Sequence, residues 1–320
     1  MNPTLKVILL AVLALVILVA GSFLLPSWAM FLVTMALAKG LAALGIVTLM
    51  RGGLVSFGQG LYYCLGAYVA TLVAGSTGST DIFLLSLGAI LIAGLLGILL
   101  GPLLATYRGI FFAMLSLSLS MILYGALSKL TVIGGTDGLN VAAATFLGYS
   151  PEDRPLQVSL YLFTAVATVI IGAAIRLYYD SERGLLSLAI KDNELRVEYL
   201  GASVRRVMSV NYAIGAALGG LGGAIAALAI GHVDPEFAYW TTSGEFVFVA
   251  ILAGYLSIPA VFLSSVLLEL VKSFSGLYFP NTWQLVLGVF LLAVIFLLPD
   301  GIGSIVRKRR PAGQEADNGR

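Results

Sequence analysis

The sequence predicts an all-α polytopic membrane protein of about ten transmembrane helices, with both termini in the cytoplasm. Three observations predict it. Only 11% of the residues are charged and 59% are hydrophobic, with a mean hydropathy of +1.01, whereas a soluble domain carries about 25% charged residues. Apolar runs near the ~20 residues that cross a bilayer as a helix recur along nearly the whole chain. Most Lys and Arg residues outside those runs fall on one side when the runs are threaded alternately through a membrane.

Leu5 to Leu25 is the first run. Lys6 beside it resembles the positive end of a signal peptide. The run is longer than a usual signal core and no A-x-A site follows, so it reads as a retained span, with a cleaved signal as the alternative. Pro26 and Trp28 mark an interface, and Trp28 to Leu49 is the second span, ending at Arg51. Gly53 to Ala74 is the third, rich in glycine and in polar groups such as Ser56, Gln59, Tyr62 and Tyr63; the loop GSTGSTD follows. Ile82 to Thr106 and Ile110 to Leu130 are the fourth and fifth, separated by the turn at Tyr107-Arg108-Gly109. The fifth carries Ser116, Ser118 and Ser120, hydroxyls that can bond the helix backbone or a neighbour. A polar loop from Ile133 to Gln157 leads to the sixth, Val158 to Tyr178.

Met208 to Ile230 is the seventh span. Its Gly215, Gly219 and Gly223 recur every four residues and make one small-residue face for close helix packing. Ser243 to Gly254 is apolar but short, so it reads as a half-span or a tilted helix. Ile258 to Leu277 and Thr282 to Leu298 complete the set, and Pro299-Asp300-Gly301 ends it. The positive-inside rule assigns the cluster Arg307 to Arg310 to the cytoplasm. Counting back puts Lys6, Arg51, Arg108 and the loop after Tyr178 on that same side. GSTGSTD and the acidic loops at Asp137 and at Asp234/Glu236 fall on the other.

Composition also excludes several chemistries. One cysteine, Cys64, cannot form an intrachain disulfide, and one histidine, His232, excludes a His-rich metal site. The chain has no P-loop, H-E-x-x-H or G-x-S-x-G motif. It also has no soluble stretch near the roughly 50 residues that a domain with its own core needs. No catalytic residue, metal, bound cofactor or nucleic-acid partner is expected; if ATP is used, another chain binds it.

Asp180 to Arg206 is the longest charged run. Leu185, Leu186, Leu188, Ala189, Leu195, Val197 and Leu200 interleave there with Lys191, Asp192, Glu194, Arg196 and Glu198, which suits a short amphipathic helix outside the bilayer, stopped at Gly201. From composition alone two readings stand, a loop gripped by a cytoplasmic partner and a solvated connector.

Four ionisable groups fall within the apolar runs. Lys39 is near the middle of the second, Glu245 begins the eighth, and Glu269 and Lys272 lie at i,i+3 on one face of the ninth, where they can pair. A charge at the bilayer centre costs about 2.5–3.5 kcal/mol on insertion scales, so Lys39 should face protein or water. Either these groups line a translocation path or they form interhelical pairs, Lys39 with Glu245 or Glu269 for example.

Three stretches resemble one family. GLVSFGQGLYYCLGAY (Gly53 to Tyr68) resembles the Gly- and aromatic-rich segment of permeases of the branched-chain amino-acid and urea class of ABC importers. GGTDGL (Gly134 to Leu139), with Gly135, Thr136, Asp137 and Gly138, looks like their outer-loop signature. AIKDNELRVEYLGASV (Ala189 to Val204) resembles their cytoplasmic coupling loop. The loops look closer to the second, M-type permease of the heteromeric pair. Gln59, where histidine is common, and Gly254-Tyr255-Leu256-Ser257, in place of a diglycine turn, are departures that bear on substrate.

The resemblance implies a type II importer-like permease domain over residues 1–306, with a coupling loop at 179–207 and a polar, disordered cytoplasmic tail at 307–320. It implies a multi-pass protein of a prokaryotic cytoplasmic (inner) membrane. It further implies a second permease, two cytoplasmic ATPases that use ATP, and an extracytoplasmic solute-binding protein. On that reading Lys191, Asp192, Glu194, Arg196, Glu198 and Gly201 engage an ATPase, with Leu195, Val197 or Leu200 supplying buried area. Lys39, Ser56, Gln59, Tyr62, Tyr63, Glu245, Glu269 and Lys272 are the candidates for the path. The solute is small and polar, branched-chain amino acids first. The alternative is a solitary secondary transporter or channel for a solute such as urea or a short amide.

Overall fold

The computed structural model describes residues 3–280, 282–297 and 301–303. Its helices are α1 (Pro3–Leu24), α2 (Ser27–Met50), α3 (Gln59–Thr77), α4 (Ile82–Leu104), α5 (Gly109–Lys129) and α6 (Asp153–Tyr179). They continue as α7 (Glu182–Asp192), α8 (Glu194–Tyr199), α9 (Val204–Ile230), α10 (Trp240–Ala253), α11 (Ile258–Tyr278) and α12 (Trp283–Leu297). Each predicted apolar run carries a helix. Among the described residues, seven of them (α1, α2, α4, α5, α6, α9 and α11) are long and apolar enough to cross a membrane, and α10 and α12 are shorter apolar helices. The side chain of Lys6, Pro299-Asp300, the cluster Arg307 to Arg310 and the tail 307–320 lie outside the described residues.

The bundle is built around α9, which packs on α2, α3 and α4. Glycine makes that closeness possible. A Cβ at Gly223 would stand 1.8 Å from the Tyr63 carbonyl oxygen of α3, and one at Gly220 would stand 2.5 Å from Ala93 Cβ of α4. Gly215 faces Gly45 of α2. The glycine face read from the sequence is therefore a packing surface, where contact rather than apolar transfer holds helices together. Ala42, Leu44, Ile46, Ile225 and Ala226 are fully buried around it, while α1 leaves most of its apolar surface exposed.

The loops gather at the two ends as charge sorting predicts. At the basic end, Arg108 bonds Glu194 at 2.5 Å, the Arg205 side chain donates to the Pro102 carbonyl, and Arg51 approaches the Tyr255 carbonyl. Ile302 N–H donates to the Leu252 carbonyl, so the chain after α12 returns to this end. At the acidic end, a two-residue antiparallel pair joins Leu139–Asn140 to His232–Val233.

Asp81 ties the acidic end together. One carboxylate oxygen caps α4 through Phe83 N–H at 2.9 Å, and the other accepts Leu147 N–H at 2.8 Å. Asp81→Ala is expected to lower stability by about 1 kcal/mol, the usual worth of a cap. That loss should read as a lower melting temperature in detergent, with helical content retained.

Two segments depart from the predicted spans. The third run does not become helical at Gly53: residues 51–58 form a turn and an irregular stretch, and α3 begins at Gln59. Glycines at 53 and 58 and the tight Gly58–Ser116 contact favour a non-helical backbone there. The eighth run is a half-span. The Ser120 hydroxyl donates to the Ala238 carbonyl at 2.8 Å, and Ser120 stands about 16 Å along the ~30 Å of α5. The turn Pro235–Ala238 thus dips about halfway into the bundle, and α10 starts there and runs back to the basic end. Gly60 N–H donates to Ser243 Oγ at 3.0 Å, so the first turns of α3 and α10 meet at mid-depth.

Candidate functional site

Near that mid-depth meeting point the four intramembrane charges form one network. Lys39 Nζ lies 2.8 Å from Glu269 and 3.4 Å from Glu245, and Lys272 Nζ lies 2.5 Å from the other oxygen of Glu245. The contact expected for Lys39 is therefore present with both carboxylates. The pairing expected between Glu269 and Lys272 is replaced by crosswise pairs, because α10 and α2 pack against the face of α11 that both share. Two positive and two negative groups balance, which offsets the desolvation of each. The side chain of Lys39 is 11% exposed and that of Lys272 is 31% exposed, so the network runs from the interior toward one surface.

Ser56, Gln59, Tyr62 and Tyr63 cluster around the first turn of α3, each 1–2% exposed. Gln59 Nε2 donates to the Gly215 carbonyl at 2.7 Å and pins α3 to α9. Ser56 Oγ accepts Gly58 N–H. Tyr62 meets Tyr212 edge-on, and Tyr63 packs on Phe237 and Phe246. In this conformation the four are packed against protein rather than set on the wall of an open channel.

The segment Gly135–Asp137 is a 3₁₀ turn. Gly134, Gly135 and Gly138 all have positive φ, and a Cβ at Gly138 would stand 2.2 Å from the Val233 carbonyl oxygen. Glycine is required at 138 on both counts. Thr136 and Asp137 are exposed at the acidic end.

The charged loop folds as two helices rather than one. Asn193 breaks them with φ −161° and caps α8 by accepting Arg196 N–H at 3.0 Å. Gly201 has φ +86° just past α8, as the predicted stop requires. Lys191, Asp192, Arg196 and Glu198 are exposed, and Glu194 is half-buried against Arg108. Leu195 (64%), Tyr199 (87%) and Leu200 (80%) are strongly exposed. Val197 is not available to a partner: it is 2% exposed and packs into the protein beside Val204 and Met208.

Two further candidates lie outside the predicted site residues. Asn211, in the first turns of α9, is fully buried. Its Oδ1 accepts the Tyr178 hydroxyl at 2.6 Å and its Nδ2 donates to Ser187 Oγ at 2.9 Å, so it joins α6, α7 and α9. A lone asparagine in an apolar run carries that signal, since a buried amide needs partners. Asn211→Leu is expected to cost about 1–3 kcal/mol by orphaning those partners. It should also raise the proteolysis rate of residues 180–206 more than that of the other loops. Tyr255 is the second: Lys191 Nζ sits 3.2 Å above its ring centroid.

Comparison with known proteins adds an independent line. A family model described as "Branched-chain amino acid transport system / permease component" matches residues 28–295. The chain is 26% identical over 335 aligned residues to the high-affinity branched-chain amino acid transport system permease protein LivM of Escherichia coli (strain K12), covering 96% of this chain and 77% of that protein. It is 23% identical over 291 residues to LivH of the same strain, covering 84% of this chain and 92% of that protein. No solved structure matches.

Proposed function

Because the chain belongs to the branched-chain amino acid transport system permease component family, we propose that it is the membrane permease subunit of an ATP-binding-cassette importer. It forms part of the translocation path for a small polar solute, with branched-chain amino acids as the leading candidates, consistent with the named relatives. A second permease completes the path, two cytoplasmic ATPases bind and use ATP, and an extracytoplasmic binding protein delivers solute. The match to LivM spans more of this chain than the match to LivH, which favours the M-type place in the pair. Ten crossings with both termini in the cytoplasm of a prokaryotic cell remain the topology that best sorts the charges.

The observation that carries the reading is the exposed patch of Leu195, Tyr199 and Leu200, rimmed by Asp192, Arg196 and Glu198 on a helix pair fastened to the bundle. An apolar centre in a charged rim is the anatomy of a protein interface. A solvated connector has no use for a tyrosine that is 87% exposed beside a leucine that is 80% exposed. In the proposed mechanism, ATP-driven closure of the ATPases displaces α7–α8 and biases the permease between its inward- and outward-open states. The chain's own residues hold and move helices and do no covalent chemistry.

The test is purification of the detergent-solubilised chain, tagged at its amino end, with mass spectrometry of what accompanies it. A P-loop ATPase and a second hydrophobic permease are expected, both lost when residues 198–201 are replaced by Gly-Ser. Recovery of the chain without either contradicts the assignment.

A further inference from the structure

At the basic end, the segment joining α10 to α11 touches the helix pair that the proposed function assigns to the ATPases. The Lys191 ammonium, on the last turn of α7, stands 3.2 Å above the Tyr255 ring centroid. The Lys191 stem packs over Gly53, the residue that turns the chain away from α2. On the opposite side Arg51, 6% exposed, stacks 4.0 Å from the Tyr179 ring centroid and reaches the Tyr255 carbonyl at 3.5 Å. Tyr255 is thus joined to α7 through its ring and to α2 and α6 through Arg51.

What lies beyond Tyr255 gives the contact its use. The residue directly before it, Gly254, ends the half-span α10 in a backbone conformation with φ +71°. The other end of α10 meets the first turn of α3 at mid-depth through Ser243. One turn into α10, Glu245 bridges Lys39 and Lys272. A push on α7 therefore has a short physical route to the irregular, polar centre of the bundle. The helix pair also rests on α6 and α9, but those helices run continuously past the centre, whereas α10 starts there.

We propose that Tyr255 is a positioning residue for energy coupling: through its cation–π contact with Lys191 it transmits displacement of α7 to the half-span α10. The inference rests on the proposed function and deepens it. A tyrosine suits the role because an aromatic face attracts an ammonium without fixing it in one hydrogen-bond geometry, so the contact survives sliding of α7. Any aromatic ring preserves the contact, and an aliphatic side chain of similar volume removes it.

The experiment uses the complete importer in proteoliposomes and reads radiolabelled leucine taken up per ATP hydrolysed. Tyr255→Leu is expected to lower that ratio about threefold, the range of a cation–π contact at a solvent-exposed site, with the ATPase still captured. Tyr255→Trp, which keeps an aromatic face under Lys191, is expected to keep the ratio near the wild-type value. Lys191→Gln alters an exposed side chain and tests the contact without disturbing the α10–α11 turn; it should match Tyr255→Leu, and the double variant should fall no further. A Tyr255→Leu complex with the wild-type ratio, or single losses that multiply in the double variant, overturns the inference and leaves the proposed function standing. A wild-type complex that drives no ATP-dependent uptake of leucine, of another branched-chain amino acid or of urea overturns the proposed function and this inference with it.

Discussion

Lys39→Met is expected to cost about 3–5 kcal/mol of folded stability and to abolish transport. Lys39 lies in the middle of α2, 9% exposed, and bridges the carboxylates of Glu269 and Glu245. Methionine fills much the same space, so the loss is electrostatic rather than steric. Glu269, whose side chain is 16% exposed, loses its 2.8 Å partner, and leaving one member of a largely buried pair uncompensated is what makes breaking it costly. Lys39→Met combined with Glu269→Gln should recover part of the stability, because the stranded charge is removed with its partner. The measurement is the melting temperature in detergent of both single variants and the double, together with ATP-driven uptake by each. Normal stability and uptake in Lys39→Met would remove both the pairing role and the path-lining role.

Tyr199→Ser with Leu200→Ser is expected to weaken ATPase capture by more than about 100-fold while leaving the chain's own melting temperature unchanged. Buried aromatic anchors at protein interfaces cost about 2 kcal/mol or more when truncated, and each 1.4 kcal/mol is a factor of ten in affinity. Both side chains project away from the chain, 87% and 80% exposed, so their removal disturbs nothing within it. Val197→Ser is the converse control. Val197 is 2% exposed, so its loss should lower the melting temperature first. Glu198→Lys, which reverses a rim charge next to Tyr199, should impair coupling more than folding. A titration of each variant with the ATPase, read by co-purification, separates these outcomes, and unchanged capture by the double serine variant would move the grip elsewhere.

Much of the fold was legible in the sequence because membrane helices are set by length and apolarity, which need no tertiary information. The sorting of Arg51, Arg108 and residues 180–206 to one end, away from Asp81 and Asp137, followed from charge alone. The start of α3 did not. Gly53 to Phe57 is apolar enough to continue a helix on paper, and only the tight approach of Gly58 to Ser116 shows why the backbone stays irregular. The Lys39–Glu245 and Lys39–Glu269 contacts could be named from the cost of burying a lone charge. Which carboxylate Lys272 would meet depended on the packing of α10 against α11. Val197 was misjudged because period alone does not say which side of a short helix the body covers. Asn211 and Tyr255 act through partners 24 or more positions away in sequence, and a single sequence carries no record of such pairs.

The central claim is that ATP hydrolysed by partner subunits drives solute through a path this chain helps to form. It is tested most directly by radiolabelled leucine uptake into proteoliposomes that hold the purified chain with its co-purifying permease and ATPases, with the binding protein outside. The account predicts accumulation against a gradient that requires ATP and the binding protein and disappears in the Tyr199→Ser, Leu200→Ser variant. Leucine flux down its gradient through the chain alone, indifferent to ATP and to residues 199 and 200, would contradict it.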